Sequence, residues 1–130
     1  SALKLENELL NRPDGLNFLI QGNGCQFSPS EIKKIMLVRL LYLQPDILIC
    51  DAMSDFFDII SENELFDAVS KLMQHGILVW STQNFSLATK ASRVMYLDKA
   101  QMTLFGAHKD LIETNAAYAD FFLRRISINS

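Results

Sequence analysis

Ile47-Leu48-Ile49-Cys50-Asp51 decides the fold class. Four apolar residues in unbroken succession end on an acid, and Gln44-Pro45-Asp46 breaks the chain just before them. A run this short and apolar at every position suits a parallel strand buried on both faces. Ile77-Leu78-Val79-Trp80, which leads into Ser81-Thr82-Gln83, has the same form. Between them a helix is predicted from Ser61 to about Gln74. Ser61-Glu62-Asn63-Glu64 reads as its capping box and His75-Gly76 as its C-cap. Strand, helix, strand in that order is a βαβ unit, whose crossover is right-handed.

Upstream, Ser28 or Ser30 opens a long predicted helix that runs to about Leu43. Ile32, Ile35, Met36, Val38, Leu40 and Leu41 keep helical spacing, and Ser28-Pro29-Ser30-Glu31 combines a Ser cap, a first-turn Pro and a Glu three residues on. Residues 2–11 read as an amphipathic helix closed by Pro13-Asp14-Gly15, and Gly22 and Gly24 mark a flexible loop. Downstream, Ser86 is expected to cap a short helix to Ala91. Val94-Met95-Tyr96-Leu97 and Met102-Thr103-Leu104-Phe105 flank the turn Asp98-Lys99-Ala100-Gln101, a hairpin pattern. Two helices near residues 107–113 and 115–124 close the chain. The class is α/β: a small, mainly parallel sheet flanked by helices, with a C-terminal β-hairpin and helices. Two or three parallel strands make half of a larger sheet, so the chain reads as a partial domain.

Composition agrees with a folded domain. Of 130 residues 49% are apolar and 21% charged, which argues against disorder. A net charge of -3 argues against a nucleic-acid surface. Lys33-Lys34 and Arg124-Arg125 are isolated basic pairs on solvated faces. Cys25 and Cys50 offer neither a disulfide framework nor zinc spacing, which points to a reducing, cytoplasmic setting and a soluble chain. No apolar run approaches the roughly 18 residues of a membrane span, no signal peptide is visible, and the chain starts at Ser1 rather than Met.

Ligands of open α/β sheets bind beyond the carboxyl ends of the strands. Asp51 and Ser81-Thr82-Gln83 both fall there. Asp51 is a candidate magnesium ligand; a loop-capping Asp is the alternative.

The order of the motifs resembles one family. Residues 27–41, from Phe27-Ser28-Pro29-Ser30-Glu31 to Arg39-Leu40-Leu41, resemble the ATP-binding-cassette (ABC) signature LSGGQ and its helix. Gln44 to Asp51 resembles the run into the Walker B Asp, and Asp58, seven residues on, resembles the D-loop Asp. Gln83 falls where the family has its switch His. Phe105-Gly106-Ala107-His108-Lys109-Asp110-Leu111 is similar to the family's G-x-H segment, and Ala117-Tyr118 to its closing segment. Pro13-Asp14-Gly15-Leu16 looks like an element of exporter-type members, including peptide and protein secretion exporters. The chain is thereby similar to the C-terminal half of an ABC ATPase domain with a partial P-loop NTPase-like fold. Residues 1–43 would be the end of the helical subdomain with the signature helix, and 44–130 the part from Walker B to the C-terminus.

The resemblance implies ATP and magnesium for a complete domain, a transmembrane domain and a second nucleotide-binding domain as partners, and a place on the cytoplasmic face of a membrane. Ser28, Ser30, Asp58 and Gln83 would contact nucleotide and Asp51 the metal. The sequence holds no G-x-x-x-x-G-K-S/T, so no nucleotide is expected on this chain by itself. Its reactive positions are altered. Ala52 stands at the general-base Glu, a loss of about 10²–10⁴ in rate. Gln83 replaces the switch His, Pro29 removes an N–H donor, and Glu31 brings a negative charge to a phosphate-binding helix end. No catalytic residue is intact. Gly22 stands where exporters usually place a Glu. The alternative is an interaction or regulatory module that keeps the fold without nucleotide. Exposed strand edges predict self-association of the chain.

Overall fold

The computed structural model describes residues 9–22, 26–98 and 101–128. Most of the helix expected over 2–11, Gly24, Cys25 and the tip of the hairpin turn lie outside the described residues. The chain divides into two compact units, one ending at Thr82 and the other beginning at Gln83.

The first unit carries a 3₁₀ turn Gly15–Asn17, helix α1 (Pro29–Tyr42), strand β1 (Ile47–Cys50), a 3₁₀ turn Met53–Asp55, helix α2 (Ile59–Leu72) and strand β2 (Ile77–Trp80). α1 starts as its sequence predicts, with Ser28 as cap and Pro29 at the first position. It ends at Tyr42 with Leu43 as its C-cap, after which Gln44 takes a left-handed φ of 49° ahead of Pro45. β1 and β2 pair in parallel, with Ile47 opposite Ile77 and Ile49 opposite Val79.

Leu48 and Cys50 of β1 are buried against Leu37 of α1, Leu65 and Val69 of α2, and Met53, Phe57 and Met73. Fully burying side chains of this size is worth about 1.5–3 kcal/mol each. Burial lifts the Cys50 thiol to about 11, against a smaller opposing pull from the Lys33 ammonium. The other face differs from its sequence reading. Ile47, Ile49, Ile77 and Val79 are exposed, so the strands are covered on one side rather than two. Both helices of the unit pack on the Leu48 side, and among the described residues of this unit no further helix or strand covers the second.

Three local expectations give way to better ones. α2 begins earlier than Ser61. Asp58 is its cap, accepting from the Ser61 N–H at 2.9 Å and the Ser61 hydroxyl at 2.8 Å. Gly76 is not a left-handed C-cap. It is there because a Cβ would stand 2.8 Å from the Asp46 carbonyl oxygen and 2.9 Å from Met73 Cε. The residue after β2 that caps a turn is Asn84, not Ser86; the turn is 3₁₀, Phe85–Thr89.

The second unit joins that turn to strands β3 (Val94–Asp98) and β4 (Gln101–Gly106) and helices α3 (His108–Thr114) and α4 (Ala116–Ile128). β3 and β4 form the predicted antiparallel hairpin, with an irregularity between Tyr96 and Leu97. Its core is aromatic. Phe121 lies 4.8 Å from Tyr96 and 5.1 Å from Phe85, and His108 lies 4.3 Å from Phe122, between ring centroids. His108 Nδ1 shares a 3.0 Å hydrogen bond with the hydroxyl of Tyr118, whose ionisation burial pushes up. His108 thus ties α3 to α4.

Gly76→Ala should cost about 1–3 kcal/mol, because the clash is with backbone as well as with the Met73 tip. Urea unfolding of the two chains measures it; an unchanged midpoint would contradict the close approach.

Candidate functional site

The carboxyl ends of β1 and β2 place Asp51, Ala52, Ser81 and Thr82. Asp51 is exposed. Ala52 takes the left-handed region, at φ 51° and ψ 42°, a conformation that costs a non-glycine residue about 1–2 kcal/mol. Its neighbours hold it there. The Ser81 carbonyl accepts from the Met53 N–H at 3.2 Å, and the Ser81 hydroxyl oxygen lies 3.5 Å from the Ala52 nitrogen. The side chain at this clamped position is a methyl. It neither accepts a proton nor orients water.

Magnesium takes six oxygen ligands and usually keeps waters and phosphate oxygens among them. Among the described residues no three His, Cys, Asp or Glu side chains gather as a metal site. Asp51 is a single exposed carboxylate at the end of β1, and no all-protein cage surrounds it among the described residues.

The N-terminus of α1 is a second place of interest, because helix N-termini bind anions. Here the anion is internal. Glu31 Oε2 accepts from the Ser28 N–H at 2.7 Å, and Ser28 Oγ accepts from the Glu31 N–H at 3.2 Å. Pro29 has no N–H, and Ile32 donates to the Ser28 carbonyl at 3.0 Å. Ser30 is the first-turn position whose amide and hydroxyl suit an outside acceptor; the Ser28 and Ser30 hydroxyl oxygens lie 3.1 Å apart. Arg12 balances the carboxylate from 3.1 Å, donates to the Gln26 carbonyl at 3.1 Å, and lies 4.0 Å over the Phe27 ring. The Ser28 backbone N–H, then the Ser28 side chain and Arg12, outweigh desolvation and hold the Glu31 carboxyl below its ordinary range.

Asp58 is likewise occupied, as the cap of α2. Its carboxyl is lowered first by the backbone N–H of Ser61 and then by the Ser61 hydroxyl. Gln83 is exposed and opens the second unit. The structure thus gathers Asp51 and Ala52 with Ser81, and Ser28 with Ser30 and Glu31, while Asp58 serves its own helix.

Sequence reading missed Glu62. Its carboxylate is buried and accepts from Trp80 Nε1 at 3.0 Å and from the Thr82 hydroxyl at 2.6 Å. A signal existed: Glu62 is spaced three, four and seven residues from Leu65, Phe66 and Val69, which places an acid on the buried stripe of α2.

No family model matches the chain. It is 28% identical over 116 residues to the glutathione/L-cysteine transport system ATP-binding/permease protein CydD of Bacillus subtilis, covering 89% of this chain and 20% of that protein. It is 30% identical over 129 residues to an ATP-dependent lipid A-core flippase of Alkalilimnicola ehrlichii, covering 99% of this chain and 21% of the flippase. In fold it matches a bacterial Atm1-family ABC exporter solved with ATP bound, at a TM-score of 0.82 and 19% identity, over 96% of this chain and 22% of the exporter. The chain spans about a fifth of the length of these relatives. It is a homologue of the ABC exporter ATP-binding/permease proteins and has the fold of a partial ABC ATPase domain.

Proposed function

We propose that the chain is the C-terminal part of the ATP-binding domain of an ABC exporter, one that couples nucleotide binding to transport and has lost hydrolysis at this site. The observation that carries this reading is Ala52. It follows Asp51 at the strand end, in a clamped left-handed turn, with a methyl group where the family has its general base.

In this reading Asp51 supports a magnesium ion that accompanies the nucleotide and neutralises phosphate charge. The Ser28 and Ser30 hydroxyls face the γ-phosphate of a nucleotide held by a second nucleotide-binding domain. Asp58 lies at that junction, and the Gln83 amide replaces the switch His as an uncharged donor. A P-loop elsewhere in the protein holds the ATP. A transmembrane domain is the other partner, at the cytoplasmic face of a membrane. Among the described residues no helix is long and apolar enough to cross one.

One observation favours the second reading, an interaction module without nucleotide. The Glu31 carboxylate stands at the α1 N-terminus, where a phosphate would be drawn, and Arg12 already neutralises it.

Titration of the full-length protein with Mg-ATP, with phosphate release followed in parallel, tests both. Binding at or below millimolar concentration with negligible turnover is expected. Ala52→Glu with Gln83→His should then raise turnover by about 10² or more. Turnover at the rate of intact ABC ATPases would refute the loss of hydrolysis, and no binding at millimolar ATP would favour the interaction module.

Glu31 predicts a pH dependence. Its folded pKa lies below the ordinary 4.5, so its contribution to stability is present above that pH and is lost as pH falls through the folded value. Wild type should exceed Glu31→Gln in stability near neutrality, and the gap should close below 4.5. A gap that stays constant down to acid pH in melting experiments would show that the carboxylate's charge plays no part.

The uncovered face of β1 and β2 is where the rest of the ATP-binding domain would pack. For the chain by itself, sedimentation should show dimers or larger species at micromolar concentration, and Ile49→Lys should reduce them. A single monomeric species of the unmodified chain would count against this.

A further inference from the structure

Among the described residues Glu62 is the one buried acid, with about 1% of its surface exposed. No cation pairs with it among them. A carboxylate in that position is costly unless donors meet it. Two do, on the same oxygen: Trp80 Nε1–H at 3.0 Å and the Thr82 hydroxyl at 2.6 Å.

The chemistry orders what lies beyond. A hydroxyl has one proton, and that of Thr82 points to Glu62 Oε1. Thr82 therefore gives its proton to Glu62, and its oxygen receives from outside. Ser54 Oγ lies 2.7 Å from Thr82 Oγ1, so Ser54 is the donor in that pair. The result is a directed chain, Ser54 to Thr82 to Glu62, with Trp80 donating to the same end. Its members come from three places: the turn after β1, the end of β2, and the first turn of α2. Two of the three are the strand ends where ligands of open α/β sheets bind. Linked hydrogen bonds reinforce one another.

We infer that Glu62 is a positioning residue, whose buried carboxylate sets the mutual arrangement of the carboxyl ends of β1 and β2 through Thr82 and Ser54. The backbone bonds at Ser81 hold the start of each loop; the Glu62 chain holds Ser54, two residues beyond Ala52. The role belongs to this chain's own residues and does not depend on whether nucleotide binds. Trp80 is the only tryptophan, so its single indole N–H reports on the far end of the network.

Nuclear magnetic resonance of the full chain tests it. Thr82→Val keeps the shape and removes both the donor to Glu62 and the acceptor for Ser54. It should shift the Trp80 indole peak and the amide peaks of Ala52, Met53 and Ser54, and speed exchange of the indole proton. Thr82→Ser keeps the hydroxyl and should restore all of these. Ser54→Ala should move the indole peak in the unmodified chain and leave it in place in the Thr82→Val background. Unchanged Trp80 and Ser54 peaks in folded Thr82→Val would overturn the inference. So would a Ser54→Ala effect that persists without the Thr82 hydroxyl, because the coupling would then run by another path.

Discussion

Leu48 and Cys50 pressed between strand and helices hold the first unit in place, and the candidate site follows from that contact. Side chains alternate along a strand, so burying these two sends Ile47 and Ile49 to the opposite face. In-register pairing adds Ile77 and Val79 to them. The packing that fixes Asp51 at the end of β1 therefore also creates an apolar surface. Each of its side chains, fully covered, would add about 1.5–3 kcal/mol. A parallel pair normally has both faces covered, and here only one is. The fold of the unit is complete on the side that carries α1 and α2, and open on the other.

The two long helices of that unit handle their N-termini in the same way. α1 turns the Ser28 hydroxyl and the Glu31 carboxylate inward, and α2 turns Asp58 onto Ser61. Both ends satisfy their donors with the chain's own oxygens, which lowers both carboxyls. At α1 the consequence is electrostatic. The helix end that attracts an anion holds one already, and Arg12 closes the charge balance between two phenyl rings. An outside phosphate would meet Ser30 and two hydroxyls rather than an open row of amides.

Much of this was legible in the sequence, and what was not has a common cause. The runs 47–50 and 77–80 announce strands because every residue in them is apolar. Ser28-Pro29-Ser30-Glu31 announces a helix start because each position carries its own reason. The start of α2 was misplaced. Ser61-x-x-Glu64 reads as a capping box, but in the structure Asp58 caps the helix and Ser61 donates to it. Gly76 looked like a helix terminator, and its purpose appears only once Asp46 lies beside it. Glu62 was the largest omission. Its partners are 18 and 20 residues away, and the packing of α2 on β2, where Phe66 meets Trp80 edge-on, is what brings them within reach. Local pattern says that an acid sits on an apolar stripe; tertiary structure says what it is for.

The contrast between what this strand end has kept and what it lacks bears on mechanism. Ser81 clamps the left-handed turn, and Ser54, Thr82, Glu62 and Trp80 form a directed polar network behind it. Such a network is expensive if half satisfied and rigid when complete. In front of it stands Ala52, whose side chain is a methyl. A surface that had drifted free of all function would have no need to hold Ala52 in a conformation that glycine adopts more cheaply. A site used for binding would, because binding needs the loops in register whether or not a base is present. Under the proposed reading, a methyl at the position of the base with the scaffold kept suits a domain that responds to a ligand's presence and leaves the chemistry to a partner.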